Sequence, residues 1–527
     1  MMTTSAFEIL GPIMVGPSSS HTAGALRIAL VARSLGPSPL ARVTFTLYNS
    51  FARTYRGHGT DRALVAGILG LAPDDMRVRD SFELARELGL DFEFVPSDAG
   101  TGLHPNTVTI SMEGADDTRM SVTGESLGGG RVRISSIDGI AVEITGDYPT
   151  LFVAHQDRPG VLAALTSGLS AGGVNIATMR TFRERRGGRA YTVFEVDGGL
   201  DQALLEYLRR APNITLANLV NVPGAAQVSP DATLSLGFDT GAQLLSACRA
   251  EGASIGRVMR TRELEIDPNG DADERMAHLI SVMRAETTEP LEDPKPSLGG
   301  LIGGEARSVA EKSSGLGPLL LGATLTRATA YAMAVLERSA SMGVIVAAPT
   351  AGSAGVIPGS LLAVAEAADA DDERLALALW NACAIGAIVA RNASVSGAEG
   401  GCQAEVGTAT AMAASAICEL LGGTPEACLS AASTAISNLL GLVCDPVRGL
   451  VEHPCQTRNA IGVANAISSA QLALSGVMDP LPFDEVVAAM ASVGSSIPAS
   501  LRETALGGLA ATPSACDACG GCAHACA

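Results

Sequence analysis

The sequence predicts a multidomain fold: an α+β N-terminal domain over residues 1–147, a ferredoxin-like βαββαβ domain over 148–222, and an all-α domain over 233–527. Three observations carry that expectation. The chain has 527 residues, several times the roughly 150 of a common domain. Apolar residues make up 47% of it and aromatics only 3%, with a single Trp. Its interiors must therefore be filled by Ala, Val, Leu and Gly, which suits closely packed helices. The hydrophobic period also changes along the chain, from mixed, to a tight alternation of strand and helix, to helical. A polar Pro/Gly-bearing stretch at about 222–232 precedes the last block.

In the first block, Thr22 to Leu35 reads as a helix opening after Ser-Ser-Ser-His, whose hydroxyls are N-cap types. Arg42 to Tyr48, Asp91 to Val95, Thr107 to Met112 and Arg131 to Ile137 have the alternating, β-branched character of strands. In the second block, Leu151 to His155, Val174 to Glu184, Ala190 to Val196 and Ile214 to Leu219 read as strands. Gly160 to Leu169 and Asp201 to Arg209 read as helices, completing the βαββαβ order. Asp157-Arg158-Pro159-Gly160 puts Pro and Gly at a helix entrance, where unpaired amides can receive a carboxylate. Together with Gly172-Gly173-Val174-Asn175-Ile176, this block resembles an ACT domain, a module that binds amino acids. The resemblance implies an effector site with Asp157, Pro159, Gly160 and Asn175. The third block is dense in Ala, Leu and Gly at helical spacing, with almost no alternating segment.

Charge and residue usage narrow the function. Asp and Glu number 55 against 36 Lys and Arg, a net −19, which argues against a nucleic-acid groove or an anionic-membrane anchor. Only Lys295 and Lys312 are lysines, and Lys295 sits in the extended Asp293-Pro294-Lys295-Pro296. A pyridoxal phosphate Schiff base has at most those two anchors, so no pyridoxal phosphate is expected. The N-terminus lacks a basic cluster followed by an apolar core. The long uncharged stretches, 427–444 and 459–478, carry Ser, Asn or Gln repeatedly and read as buried helices rather than membrane spans. The expectation is a cytoplasmic protein whose eleven cysteines stay reduced, so thiol clusters point to metals or redox work.

Cys248, Cys383, Cys418 and Cys428 lie in apolar helical runs, where cysteine acts as a small buried hydrophobe. Cys402 follows Glu399-Gly400-Gly401, Cys444 precedes Asp445-Pro446, and Cys455 follows His453-Pro454. Gly and Pro turn these three thiols toward loops. Chemistry alone leaves two readings, a metal or iron–sulfur site and unrelated loop cysteines. Two histidines stand out as acid–base candidates, His21 among Ser18, Ser19, Ser20 and Thr22, and His58 in Arg56-Gly57-His58-Gly59-Thr60. Each is also readable as a capping or structural histidine. The four hydroxyl residues offer contacts to a substrate carboxylate as well as helix caps. The turn Thr350-Ala351-Gly352-Ser353-Ala354-Gly355 offers backbone N–H groups, or is a tight interhelical corner. Arg458, three residues beyond Cys455, is the nearest candidate carboxylate partner.

These residues lie in motifs that carry a resemblance. They are Asn392-Ala-Ser-Val-Ser396-Gly-Ala-Glu399-Gly-Gly-Cys402-Gln403-Ala-Glu405-Val-Gly407, Gly441-Leu-Val-Cys444-Asp445-Pro446, and His453-Pro-Cys455-Gln-Thr-Arg458-Asn459. With Gly16-Pro-Ser18-Ser19-Ser20-His21-Thr22 and Ala348-Pro-Thr350-Ala-Gly352-Ser353-Ala-Gly355, they resemble the iron–sulfur-dependent L-serine dehydratases. The resemblance implies β-type, ACT and α-type domains in one chain, a [4Fe–4S] cluster on Cys402, Cys444 and Cys455, and a homo-oligomer. It also implies L-serine as substrate, with Thr350, Gly352, Ser353, Gly355, Asn392, Ser396 and Arg458 in its site, and an amino-acid effector.

The C-terminal Cys516, Cys519, Cys522 and Cys526 follow the spacing of ferredoxin cluster loops. Three readings stand side by side: Cys526 caps the open iron, the quartet holds a second cluster or zinc, or the tail is disordered. Rival functions are an electron-transfer or amino-acid-sensing iron–sulfur protein, and a lyase for another β-substituted amino acid such as cysteine or threonine.

Overall fold

Alternating burial along the strands shows how the first unit assembles. In Leu40–Tyr48, Val43, Phe45 and Leu47 are buried while their neighbours are more accessible, so one face of the strand meets a core. The computed structural model describes residues 4–128, 130–145, 149–197, 200–220, 234–268 and 270–517, with the backbone alone at 313–319, 516 and 517. Contacts divide the chain into two units. One holds residues 20–55 and 60–220; the other holds 4–19, 56–59 and the described residues from 234 on.

The first unit contains two sheets. The six-stranded sheet runs, in spatial order, Asp91–Ser97, Leu40–Tyr48, Thr107–Gly114, Arg119–Gly128, Arg131–Ile137 and Ile140–Ile144. Only its first pair is parallel. The helix Gly24–Leu35 lies against it. Gly124 makes that approach possible, because a Cβ there would stand 2.5 Å from the Ile28 side chain. The expected strands of the first block are present, and the structure adds Arg119–Gly128 and Ile140–Ile144. The helix expected from Thr22 begins at Gly24, because Ser19–Ala23 forms a π-turn.

The four-stranded sheet has the order Ile214–Val220, Thr150–Gln156, Arg189–Val196, Ile176–Arg183, antiparallel throughout. The helices Val161–Ala171 and Gln202–Arg209 bury Val161, Leu165, Leu169, Leu205 and Leu208 against Leu151, Val153, Phe194 and Val196. This is the ferredoxin-like arrangement that the sequence predicts.

The second unit is helical, with a core of Ala, Leu, Ile, Val and Met around the buried Trp380. Its long helix Asp372–Asn392 is apolar and long enough to span a membrane, yet 72% of its apolar window is buried inside the unit. The unit is not purely helical. Ile13–Val15 pairs antiparallel with Val344–Val346, with Ile13 opposite Val346. Residues 4–19 and 56–59, which the sequence reading placed in the first block, thus pack with the helices. The strand leads into the turn 350–355, where Gly355 lies against the Ala332 carbonyl of the helix Gly322–Ala340.

Candidate metal centre

Each of the three loop thiols sits where helical geometry breaks. Cys402 follows Gly401, whose φ of +74° suits glycine, and leads into the π-turn Gln403–Gly407. Cys444 lies between backbone bonds to a distant segment: its N–H donates to Leu501 O (2.8 Å), and its carbonyl accepts from Glu503 N (2.9 Å). Cys455 opens the helix Cys455–Leu474 behind Pro454. All three are buried.

The Cys402 and Cys444 sulfurs and a Glu405 carboxylate oxygen lie within 4.8 Å of one another. A hydrogen bond with Cys402, reinforced by burial, pushes the Cys444 thiol well above its ordinary range. Burial, then the nearby charge of Cys402, does the same to Cys455. The Arg458 guanidinium donates to the Cys402 sulfur (3.4 Å), to Val443 O (2.9 Å) and to the buried Asp445 carboxylate (2.7 Å). Burial opposes its charge, but Cys402 and Asp445 outweigh that and raise its pKa. The Cys402 and Cys444 thiols beside a fixed cation, with the buried Cys455 electrostatically linked to Cys402, offer a donor set suited to an iron–sulfur cluster.

Two residues tie the turn 350–355 to this group. Thr350 Oγ1 donates to Glu405 Oε1 (2.7 Å). Asn459 Oδ1 accepts from Gly355 N (3.1 Å), and its Nδ2 donates to Gly352 O (2.8 Å) and Cys455 O (2.9 Å). Ser19 Oγ accepts from Ala351 N (2.9 Å). Ser353 is buried, with its hydroxyl 3.2 Å from both Thr350 Oγ1 and Ala348 O. Burial pushes the Glu405 carboxyl up, opposed by the Thr350 bond and by Arg458.

Residue-level reasoning missed Glu405, Asp445 and Asn459 as members of the site. Their signal was spacing: Glu405 is three residues beyond Cys402, and Asn459 four beyond Cys455 on one helix face.

Of the acid–base candidates, His58 is buried in this unit and bonds the backbone of Gly449, in the loop between Cys444 and Cys455. Burial lowers its pKa to about 4, against the pull of that bond, so it is neutral at neutral pH. Ser18 is also buried here. Ser20, His21 and Thr22 belong to the other unit. There the His21 ring lies between Ser20 Oγ at Nδ1 and Ser50 Oγ at Nε2, both 2.9 Å.

Asn392 stands at the C-terminal end of the helix Asp372–Asn392. Its amide nitrogen donates to Asp239 O and Ile388 O, which fixes a helix end. Ser396 stands at the N-cap of the short helix Gly397–Gly400 before Cys402.

In the four-stranded domain, Gly160 takes φ +89° at the entrance to Val161–Ala171, directly after Pro159. Asp157 accepts from Gly187 N (2.9 Å) and Arg183 (3.2 Å), and Asn175 donates to Asp197 (2.6 Å). Cys519, Cys522 and Cys526 lie outside the described residues, as does the Cys516 side chain, and with them every reading of the C-terminal quartet.

Comparisons with known proteins agree with the motif reading. The family described as serine dehydratase alpha chain matches residues 239–510, the serine dehydratase beta chain matches 5–136, and the ACT domain matches 150–213. The L-serine dehydratase of Streptomyces coelicolor is 32% identical over 527 residues, covering 97% of this chain and 99% of the relative. The probable L-serine dehydratase alpha chain of Bacillus subtilis is 46% identical over 277 residues, 51% of this chain and 90% of its own. The L-serine dehydratase beta chain of Peptoniphilus asaccharolyticus is 42% identical over 222 residues, 42% of this chain and all of its own.

Proposed function

The chain belongs to the serine dehydratase family, and on that premise we propose that it is an L-serine ammonia-lyase, yielding pyruvate and ammonia and using a [4Fe–4S] cluster. The observation that supports this best is the meeting of the buried Cys402 and Cys444 sulfurs under the Arg458 guanidinium, with buried Cys455 electrostatically linked to Cys402. These three cysteines would hold the cluster. Bound through three thiolates, it supplies an iron with an open position, a Lewis acid for a hydroxyl leaving group.

The chain's own residues supply binding and proton transfer. Thr350, Gly352, Ser353 and Gly355, held by Ser19 and Asn459, form the wall assigned to the substrate carboxylate. Arg458 keeps a positive charge next to the thiols. His58, unprotonated at neutral pH because of burial, is the unit's candidate to take the α-proton as a general base. His21, with Ser20 and Thr22, is the second acid–base candidate set.

Regulation belongs to the same proposal. The Asp157–Gly160 turn, which enters the helix Val161–Ala171, is assigned to an amino-acid effector, and the assembly to a homo-oligomer measurable by sedimentation.

Anaerobic purification with iron and sulfide analysis, followed by a pyruvate assay from L-serine before and after exposure to air, tests the reading. Expected are bound iron and sulfide, turnover under anaerobic conditions, loss in air, and loss in Cys402→Ala. Turnover by iron-free protein, or full activity in Cys402→Ala, overturns it. Parallel assays with L-threonine and L-cysteine decide the substrate.

A further inference from the structure

We infer that Glu405 is the specificity-determining residue for the substrate's α-ammonium group, which makes the centre selective for amino acids over hydroxy acids. The inference rests on the proposed lyase reading, and the geometry of Glu405 takes it further. The side chain is half-buried beside two thiols, its carboxylate oxygen within 4.8 Å of both sulfurs. Oε1 accepts the Thr350 hydroxyl, which orients the carboxylate. Oε2 faces Gly397, where a Cβ would stand 2.5 Å away, and a Cβ on Gly352 would stand 3.2 Å from Oε1. Two separate segments thus withhold side chains around one carboxylate.

A carboxylate half-buried beside the thiols that would carry the cluster needs a partner for each oxygen, and Thr350 serves Oε1. Arg458 acts on the Glu405 carboxyl from a distance, but among the described residues no ion pair is formed with it. The neighbouring guanidinium of Arg458 is paired with Asp445 at 2.7 Å. A β-hydroxy-α-amino acid brings a cation that can pair directly with Oε2. Its hydroxyl and carboxylate have assigned partners in the proposed site, and its ammonium needs an acceptor once it leaves water. A charge-assisted bond of that kind is worth about 1.5–3 kcal/mol, or roughly 10- to 150-fold in affinity.

Calorimetry with L-alanine and L-lactate, which differ only in ammonium against hydroxyl, reads this without turnover. The protein is the full chain, purified anaerobically with its iron. Wild type is expected to bind L-alanine at least tenfold more tightly than L-lactate. Glu405→Gln, which keeps an acceptor for Thr350, should erase that preference while leaving lactate binding and iron content unchanged. Glu405→Asp should restore part of it. In turnover, Glu405→Gln should raise the KM for L-serine about tenfold or more, with a smaller change in kcat. Parallel weakening of both ligands, no change in either, or loss of iron from both variants overturns the assignment. An iron-free or inactive wild type would instead sink the lyase reading, a result distinct from any behaviour of the variants.

Discussion

Arg458 donates one arm of its guanidinium to the Cys402 sulfur at 3.4 Å and the other to the Asp445 carboxylate at 2.7 Å. Asp445 is only 3% exposed, so this pair is a buried one, and removing one partner strands the other. Arg458→Met should destabilise the metal-free protein by about 3–5 kcal/mol, read from urea denaturation. Adding Asp445→Asn should recover part of that loss, because the stranded charge is then gone. A single variant within about 0.5 kcal/mol of wild type would mean that the pair is solvated in solution.

Asn459 joins the thiol-bearing helix to the turn 350–355 through three bonds, to Gly355 N, Gly352 O and Cys455 O. At about 1 kcal/mol per neutral bond, Asn459→Ala should cost about 2–3 kcal/mol. Because the bonds position rather than react, its catalytic effect should fall mainly on KM for L-serine. Steady-state kinetics beside denaturation curves measures both. A large fall in kcat with KM unchanged would contradict a positioning role.

Legibility in the sequence followed the range of each interaction. The ferredoxin-like block was readable because its strands alternate and Gly172-Gly173 and Gly187-Gly188 punctuate them. Arg119–Gly128 was hidden because Arg-Met-Ser-Val-Thr-Gly-Glu-Ser-Leu-Gly carries too few apolar residues to show a period, and it is held by its neighbours in the sheet. The pairing of Ile13 with Val346 has no local signal at all. The thiols were visible through their Gly and Pro neighbours. Glu405 and Asn459 were not, since their meaning comes from Thr350 and Gly352, which are distant in the chain.

Gly397 has no room for a side chain. A Cβ there would lie 2.5 Å from Glu405 Oε2 and 3.3 Å from the Cys444 sulfur. Gly397→Ala should therefore displace both groups at once, and the iron-to-protein ratio after anaerobic reconstitution should fall severalfold. The far-UV circular dichroism should stay unchanged, because the clash is confined to the pocket. Full iron loading in this variant would show that the pocket opens more readily than its packing suggests.

His58 links stability to pH. Burial lowers its pKa from 6.5 to about 4, so below pH 6.5 the unfolded chain takes up a proton that the folded protein resists. The contribution to stability is complete above pH 6.5, declines as pH falls, and is gone below about pH 4. At 1.36 kcal/mol per pKa unit, the loss over that window is about 3 kcal/mol. His58→Gln lacks a titrating ring, so its denaturation midpoint should fall less steeply than that of wild type between pH 6.5 and 4. Both proteins still share the carboxylate titrations of the rest of the chain, so the difference between the two curves isolates the imidazole. Parallel curves would mean that the His58 ring reaches water and titrates normally in the folded protein, which would also remove the physical reason for its being a neutral base at neutral pH.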